Sequence, residues 1–263
     1  MKGLSPTGGA PQDEQGKGED AHSYGMTLGK LPSRVTREEG CRTSTEVKGR
    51  GGMPVPDALP LFPLGLVLFP GEPVPLHIFE PRYREMVKVC LDEDGPFGIV
   101  YAHEEGLATI GCTARIHRVV QRYEDGRLDI VAVGEDRFQL EGVNRDLSYL
   151  TAEVTWIDEP EPDVSDEAVR QTVITRHMKL LELAGGTPRP EIYDASHAIS
   201  FIVGRNAGLD LADKQEVLEM TREEERLHYL SKHLKTLLVR VQKAHKIRNL
   251  AQGDGHADGL PEI

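Results

Sequence analysis

Residues 58–83 read ALPLFPLGLVLFPGEPVPLHIFEPRY, and this stretch carries the strongest fold signal in the chain. Apolar runs at 58–64 and 67–71 are each cut by proline. Because proline lacks a backbone donor, these runs predict strand ends, edges or turns, and the run at 74–79 predicts a further strand. From residue 81 the spacing of the apolar residues changes to that of a helix. Pro81 suits the first position of a helix, and a helix over 81–91 would have on one face Tyr83, Met86, Val87 and Leu91.

The next part of the chain returns to short strand-like segments. These segments lie at 97–102, 109–121, 127–133, 137–143 and 149–157. Between the second and third, Asp125 and Gly126 readily supply the positive φ angles of a tight hairpin turn. Many short strands at this spacing, with one helix, predict a closed or nearly closed β-barrel over residues 58–160.

After residue 160 the apolar period becomes helical, which predicts a helical bundle over residues 163–250. Predicted helices cover 166–184, 194–203 with Asp194 as its cap, and 212–220. The last helix has a capping box that starts at Thr221. Its apolar stripe indicates packing within the bundle, with an intermolecular coiled coil as the alternative, and consists of Leu227, Leu230, Leu234, Leu237 and Val241.

The two ends of the chain differ in composition from the rest. Residues 1–52 hold 11 of the 27 glycines and show no sustained apolar period, so we expect a disordered N-terminal extension. A second hypothesis is that Met53 is the true start, because it stands directly before the first strand-like run. A flexible tail is expected over residues 251–263.

Charge and cysteine content limit the classes of function. The net charge is −12, with 43 acidic and 31 basic residues, which disfavours binding to phosphate backbones. The three cysteines form no CxxC pair and indicate reduced thiols in a cytoplasmic protein. No run of about 18 apolar residues and no secretory signal occur in the sequence, which agrees with a cytoplasmic location.

The proline-cut opening at 59–64, 67–71 and 75–83 resembles the opening signature of the Lon protease N-terminal domain family. Later segments agree in order, including 97–100, the glycine-led segment 111–116, and the KQEVLE element at 214–219. The resemblance covers residues 58–245 and implies an α+β fold, in which a PUA-like β-barrel is followed by a C-terminal α-helical bundle.

In this family the domain binds unfolded or tagged protein substrates, and it also occurs as a lone protein. The stand-alone form fits this length, because no G-x-x-x-x-G-K-[ST] phosphate loop is present and the ATPase and peptidase S16 domains of the protease are missing. The resemblance therefore implies a non-enzymatic protein-binding module. It would bind unfolded or exposed apolar segments as an adaptor, a holdase or a regulator of a separate ATP-dependent protease or chaperone.

Candidate substrate-binding residues lie in the opening signature. Their aromatic side chains predict either barrel core or a partly exposed apolar groove, and they are Phe62, Phe69, Phe79 and Tyr83. Arg82 could bind a substrate carboxylate or pair with Glu80 or Glu85. His77 and Glu80 have no nucleophile beside them, so structural hydrogen bonding is the preferred interpretation over general-base catalysis.

No cofactor or metal is expected, since the histidines never show HExxH spacing. The last helix has a basic end, interpreted as a solvated face or as a contact for an acidic partner, with Lys232, Lys235, Arg240, Lys243, Lys246 and Arg248. The alternative function is RNA binding, since PUA-like barrels elsewhere bind RNA, although the charge disfavours it. An uncharacterised hydrolase is a third hypothesis without a residue constellation behind it.

Overall fold

A computed structural model describes residues 58–160, 167–194 and 198–253, with side chains up to residue 248. The first part is mostly strand. Its elements are β1 (Leu59–Leu64), β2 (Pro73–Ile78), α1 (Pro81–Asp92), β3 (Phe97–His103), β4 (Gly106–Leu107), β5 (Ile110–Arg122), β6 (Leu128–Asn144) and β7 (Leu150–Trp156). The expectation of a disordered extension and the alternative start at Met53 fall outside the described residues.

Strand β1 closes the sheet into a barrel. The hydrogen-bonded order is β1-β7-β6-β5-β3, and β1 also pairs with β3. The β1–β3 pairing is parallel, with Leu61 opposite Gly98, whereas β1 and β7 pair antiparallel, with Leu59 opposite Ala152. Strand β2 pairs with the first half of β6, and β4 pairs with the end of β3. The two faces of β1 are also covered, because Phe62 lies in one apolar cluster and Leu59 and Leu61 lie in another, which explains its continuous apolar sequence.

Helix α1 follows the predicted change of period. Pro81 stands in its first turn, where its missing N–H would have no helical partner. The predicted face packs into the barrel core, where Tyr83, Met86 and Val87 are buried among strand residues such as Ile99 and Ile130. The helix ends before Asp94, which has a positive φ of 50°. The sequence prediction of this helix is confirmed.

The structure corrects the strand predictions over residues 127–143. The segments 127–133 and 137–143 form one continuous strand, β6. Gly134 does not break this strand, because its backbone exchanges hydrogen bonds with the loop before β2. Its N–H donates to the carbonyl of Glu72 (2.9 Å), and its carbonyl accepts from the N–H of Gly71 (2.8 Å). The run at 67–71 is accordingly a loop held against β6, and no strand forms there.

The second part of the chain is helical. Its elements are α2 (Glu167–Leu183), a short 3-10 helix (Pro190–Tyr193), α3 (Ile199–Asn206), α4 (Leu211–Glu219) and α5 (Glu223–Gly253). Asp194 was predicted to cap α3, but it ends the 3-10 helix, and Ala198 precedes α3. Asp210 caps α4 by accepting from the N–H of Asp213 at 2.8 Å. Residues 251–253 belong to α5, so the predicted tail starts too early.

The helices share a core that reaches into the barrel loop. On α5, Leu227, Leu230 and Leu234 are buried, which confirms that the stripe packs within the bundle. The same cluster contains Val67 and Phe69 from the loop between β1 and β2. This loop therefore joins the two parts of the fold through apolar contacts.

Candidate functional site

Two of the four predicted aromatic residues lie in the barrel core. Phe62 on β1 and Tyr83 on α1 are buried, with ring centroids 4.1 Å apart, and Phe97 lies 6.3 Å from Phe62. Phe62 is covered because its ring packs against Tyr83 and Phe97 in the barrel core, and Tyr83 lies on the side of α1 that faces the strands. The groove interpretation is wrong for these two residues, and the core interpretation is confirmed.

Phe69 is also fully buried, between the barrel loop and the helices. Its ring lies 5.6 Å from the ring of Phe201 on α3, and a Cβ added at Gly204 would approach it to 3.0 Å. Arg205 next to this glycine donates to the carbonyl of Pro70 at 2.8 Å. Phe69 therefore holds the loop against α3 and does not line an exposed groove.

Phe79 is different, because 59% of the residue is exposed. It lies directly after β2, in which Val74, Leu76 and Ile78 point inward. Its ring stacks on that of His77, with centroids 6.0 Å apart and planes 22° apart. We refer to His77, Phe79, Arg82, Tyr123 and Arg127 as the Phe79 surface.

The rings of the Phe79 surface are held by a carboxylate. The Nδ1 of His77 lies 2.5 Å from Oδ1 of Asp129, and the hydroxyl of Tyr123 donates to Oδ2 at 2.7 Å. Tyr123 stands edge-on to His77 at 5.9 Å, and the guanidinium of Arg127 lies 4.9 Å from the centroid of the Tyr123 ring. These hydrogen bonds, from His77 first, lower the pKa of Asp129, so the carboxylate stays ionised and orients both rings.

Arg82 contacts two residues close to it in sequence, Glu80 and Tyr83. Its guanidinium lies 2.7 Å from Oε2 of Glu80 and 4.6 Å from the centre of the Tyr83 ring, and half of its side chain is exposed. Of the two pairings predicted for Arg82, the structure shows the one with Glu80. Because exposed ion pairs are weak, a ligand carboxylate could replace Glu80 at little cost.

The polar groups next to Phe79 pair with one another. Within the described ranges, His77 bonds to Asp129 and Glu80 to Arg82, and neither contacts a serine, cysteine or threonine side chain. In the same parts of the chain, no group of three or more His, Cys, Asp or Glu residues could hold a metal ion. The helices described in the structure include none that is long and apolar enough to cross a membrane.

A buried arginine pair lies between the barrel and the helices, and no sequence motif predicts it. Arg137 on β6 and Arg226 on α5 are both fully buried and share the carboxylate of Glu159, at 2.6 Å and 2.8 Å. Arg137 also donates to the carbonyl oxygens of Leu218 (2.6 Å) and Met220 (2.8 Å). Burial lowers the pKa of Arg137, and Glu159 opposes this effect.

On the helical side, Arg226 reaches a second carboxylate. It lies 3.0 Å from Oε2 of Glu223, which also accepts from the hydroxyl of Ser200 at 2.5 Å. Burial raises the pKa of Glu223, while the hydrogen bonds from Ser200 and the charge of Arg226 oppose the rise. Phe201 packs beside both guanidinium groups, 5.6 Å from Arg137 and 4.4 Å from Arg226. This network fixes the barrel, and with it the Phe79 surface, to the helices.

Comparisons with known proteins agree with this architecture. The family model of the ATP-dependent protease La (LON) substrate-binding domain matches residues 58–236. A Lon protease of Parabacteroides distasonis is 28% identical over an alignment of 193 positions, which covers 67% of this chain and 23% of the relative. A Lon protease of Methylocella silvestris is 26% identical over an alignment of 253 positions, which covers 80% of this chain and 31% of the relative. The chain thus spans less than a third of the length of either relative.

Two solved structures share the fold. The Lon N-terminal domain protein from Xanthomonas campestris has a TM-score of 0.52 and 25% identity, covering 66% of this chain and 96% of that chain. The N-terminal domain of the Mycobacterium avium complex Lon protease has a TM-score of 0.56 and 23% identity, covering 68% and 98%. The α+β architecture of a barrel followed by helices is therefore that of Lon N-terminal domains.

Proposed function

Because the chain belongs to the family of ATP-dependent protease La (LON) substrate-binding domains, we propose that it is a non-enzymatic module whose Phe79 surface binds unfolded or exposed apolar protein segments. Substrate recognition is the function that family membership assigns, and the apolar class of substrate is our addition. The observation that supports it is the exposure of Phe79 beside oriented His77 and Tyr123 rings.

The chemistry of the surface suits a loose, side-chain-based contact. An exposed aromatic ring can bury a large apolar area against a partner, and aromatic residues and arginine are the commonest anchors at interfaces. Arg82 stands three residues after Phe79, Arg127 lies over the Tyr123 ring, and each could bind a carboxylate on the bound segment. Recognition of this kind needs no cofactor and no nucleotide.

Addition of the bound segment as an extra strand is less suited to this barrel. Among the described residues, strand β2 pairs with β6 and has no strand partner on its other edge, but Pro73 and Pro75 supply no N–H donors. A strand laid against that edge would lose part of its hydrogen-bond ladder. We therefore propose that side chains of the Phe79 surface, not that edge of β2, make the contact.

The experiment is fluorescence anisotropy of a labelled, permanently unfolded protein titrated with the full chain. Phe79→Ser should weaken binding at least tenfold, since loss of an anchor aromatic costs about 2 kcal/mol. Leu147→Ser is the matched control, because Leu147 is exposed to a similar degree (54%) and lies in the loop between β6 and β7. Equal binding by the wild type and both variants would refute the assignment of the Phe79 surface.

Two further measurements test RNA binding and distinguish an adaptor or protease regulator from a holdase. Mixed-sequence RNA that bound more tightly than unfolded protein, with a steep salt dependence, would favour RNA binding instead. An adaptor or protease regulator should also raise degradation of the unfolded protein by a purified ATP-dependent protease, whereas a holdase should only delay its aggregation. Neither effect should appear with Phe79→Ser.

A further inference from the structure

Helix α5 carries a second surface of different chemistry, on the side that faces away from the bundle. From Arg226 to the end of the helix at Gly253, the sequence contains no aspartate or glutamate, although the chain as a whole carries a net charge of −12. The cations on this side are all exposed, and we call them the α5 stripe: Lys232, Lys235, Arg240, Lys243 and Lys246.

Helix geometry places the α5 stripe on one side. At about 100° per residue, the five cations fall within roughly 140° of the helix circumference. The buried Leu227, Leu230 and Leu234 lie on the opposite side. Along the axis, the distance from Lys232 to Lys246 is about 21 Å. The α5 stripe is thus one continuous cationic strip.

The cations of the α5 stripe are not neutralised by the fold. Throughout residues 58–160, 167–194 and 198–248, none of the five has an ion-pair partner. Lys232 and Lys235, and likewise Lys243 and Lys246, stand three residues apart, where like charges repel. The isolated helix is therefore destabilised by its own charges, and an anionic partner would relieve this repulsion.

Two exposed apolar residues interrupt the α5 stripe. Val239 and Ile247 are 63% and 58% exposed, and both fall between the cations on the same side of the helix. They are eight positions apart, or about 12 Å. A partner that covers the whole strip must therefore supply apolar side chains as well as negative charge.

We propose that the α5 stripe docks an acidic, amphipathic segment of another protein, with its carboxylates on the cations and its apolar residues on Val239 and Ile247. Nucleic acid fits less well, because its backbone offers no apolar group for these residues and the α5 stripe contains no aromatic residue for base stacking. A membrane surface fits less well too, because the broad apolar face that an interfacial helix inserts is already buried in the bundle.

The test uses the full chain and a fluorescein-labelled helical peptide that carries as many glutamates as the α5 stripe has cations, with leucines two turns apart. The triple variant Lys235→Glu, Lys243→Glu, Lys246→Glu should raise the Kd for this peptide at least about tenfold. A control with the same charge change on exposed barrel positions, Lys88→Glu, Arg118→Glu, Arg145→Glu, should bind like the wild type.

A second variant tests the apolar part of the contact. Val239→Ser with Ile247→Ser leaves every charge in place and should still raise the Kd severalfold. Because all substituted residues are exposed, the circular dichroism spectrum and Tm should be unchanged. The proposal is overturned if the barrel control weakens binding as much as the triple variant. It is equally overturned if the serine variant has no effect, or if RNA or phosphatidylserine vesicles bind the α5 stripe more tightly than the peptide. Phe79→Ser should not change peptide binding.

Discussion

Acidification should destabilise the helical bundle through His177, a buried residue of α2. The side chain is fully buried; its Nδ1 lies 2.7 Å from the hydroxyl of Tyr193, and its Nε2 has no hydrogen-bond partner among the described residues. Burial lowers the pKa of His177 from 6.5 to about 4. The folded state therefore holds the ring neutral at pH values at which the unfolded chain has already taken up a proton.

The magnitude follows from the two pKa values of His177. The pKa of His177 is lower in the folded state than in the unfolded state. The neutral ring therefore makes its full contribution to the free energy of unfolding above pH 6.5, and this contribution is lost as the pH falls towards 4. At about 1.4 kcal/mol per pH unit, the gap corresponds to a loss of about 3 kcal/mol in the free energy of unfolding. This is a large part of the total stability of an ordinary domain.

The assay is urea unfolding, followed by circular dichroism, at a series of pH values between 7 and 4. His177→Gln keeps a polar group for Tyr193 but removes the titration, so its stability should fall by about 3 kcal/mol less than that of the wild type over this range. His117→Gln is the control, because His117 lies on the surface of β5. If His177→Gln lost as much stability on acidification as the wild type, the assignment of the loss to His177 would be refuted.

Three further predictions concern the interior. Gly134→Ala should lower the free energy of unfolding by at least about 2 kcal/mol, because its Cβ would lie 2.3 Å from the carbonyl oxygen of Phe69; an unchanged urea midpoint would contradict this. Arg137→Met should cost about 3 kcal/mol in the same assay, since it leaves the carbonyl oxygen of Leu218 without its arginine donor, and Met220 and Glu159 each with Arg226 alone; a neutral effect would show that the network adds no stability. The buried Cys112 thiol, whose pKa is raised by desolvation, should resist iodoacetamide in the native protein and react in urea; modification of the Cys112 peptide under native conditions, detected by mass spectrometry, would count against the described burial.

Local signals in the sequence were sufficient for the elements that depend on local chemistry. The helix that begins at Pro81 was predicted from its apolar face and its first-turn proline. The exposure of Phe79 could also have been predicted, because Val74, Leu76 and Ile78 occupy every second position and the intervening side chains must point outward. Whether Phe62 is buried or exposed could not be predicted in this way, since β1 is apolar at nearly every position and shows no alternation.

The errors arose where distant residues decide the local structure. Gly134 looked like a strand break, but its hydrogen bonds with Gly71 and Glu72 keep β6 continuous. The buried arginine pair depends on a carboxylate after β7 and on carbonyl oxygens at the α4–α5 turn, and neither carries a recognisable spacing. For the candidate site, Phe79 and Arg82 were predicted from the opening signature. Asp129, which orients His77, was not predicted, because it lies on a different strand, far from His77 in sequence.

The pairing of β1 with both β3 and β7 has a consequence for the order of folding. Of the barrel strands that the structure describes, β1 is synthesised first, yet Leu59 and Leu61 meet their partners on β7 only after all the others have been made. Until then the barrel is an open sheet with two unpaired edge strands. Because its closure needs slow, long-range pairing, these edges can pair with other nascent chains in the meantime. A domain proposed to hold unfolded polypeptides would therefore pass through a stage at which it resembles its own clients.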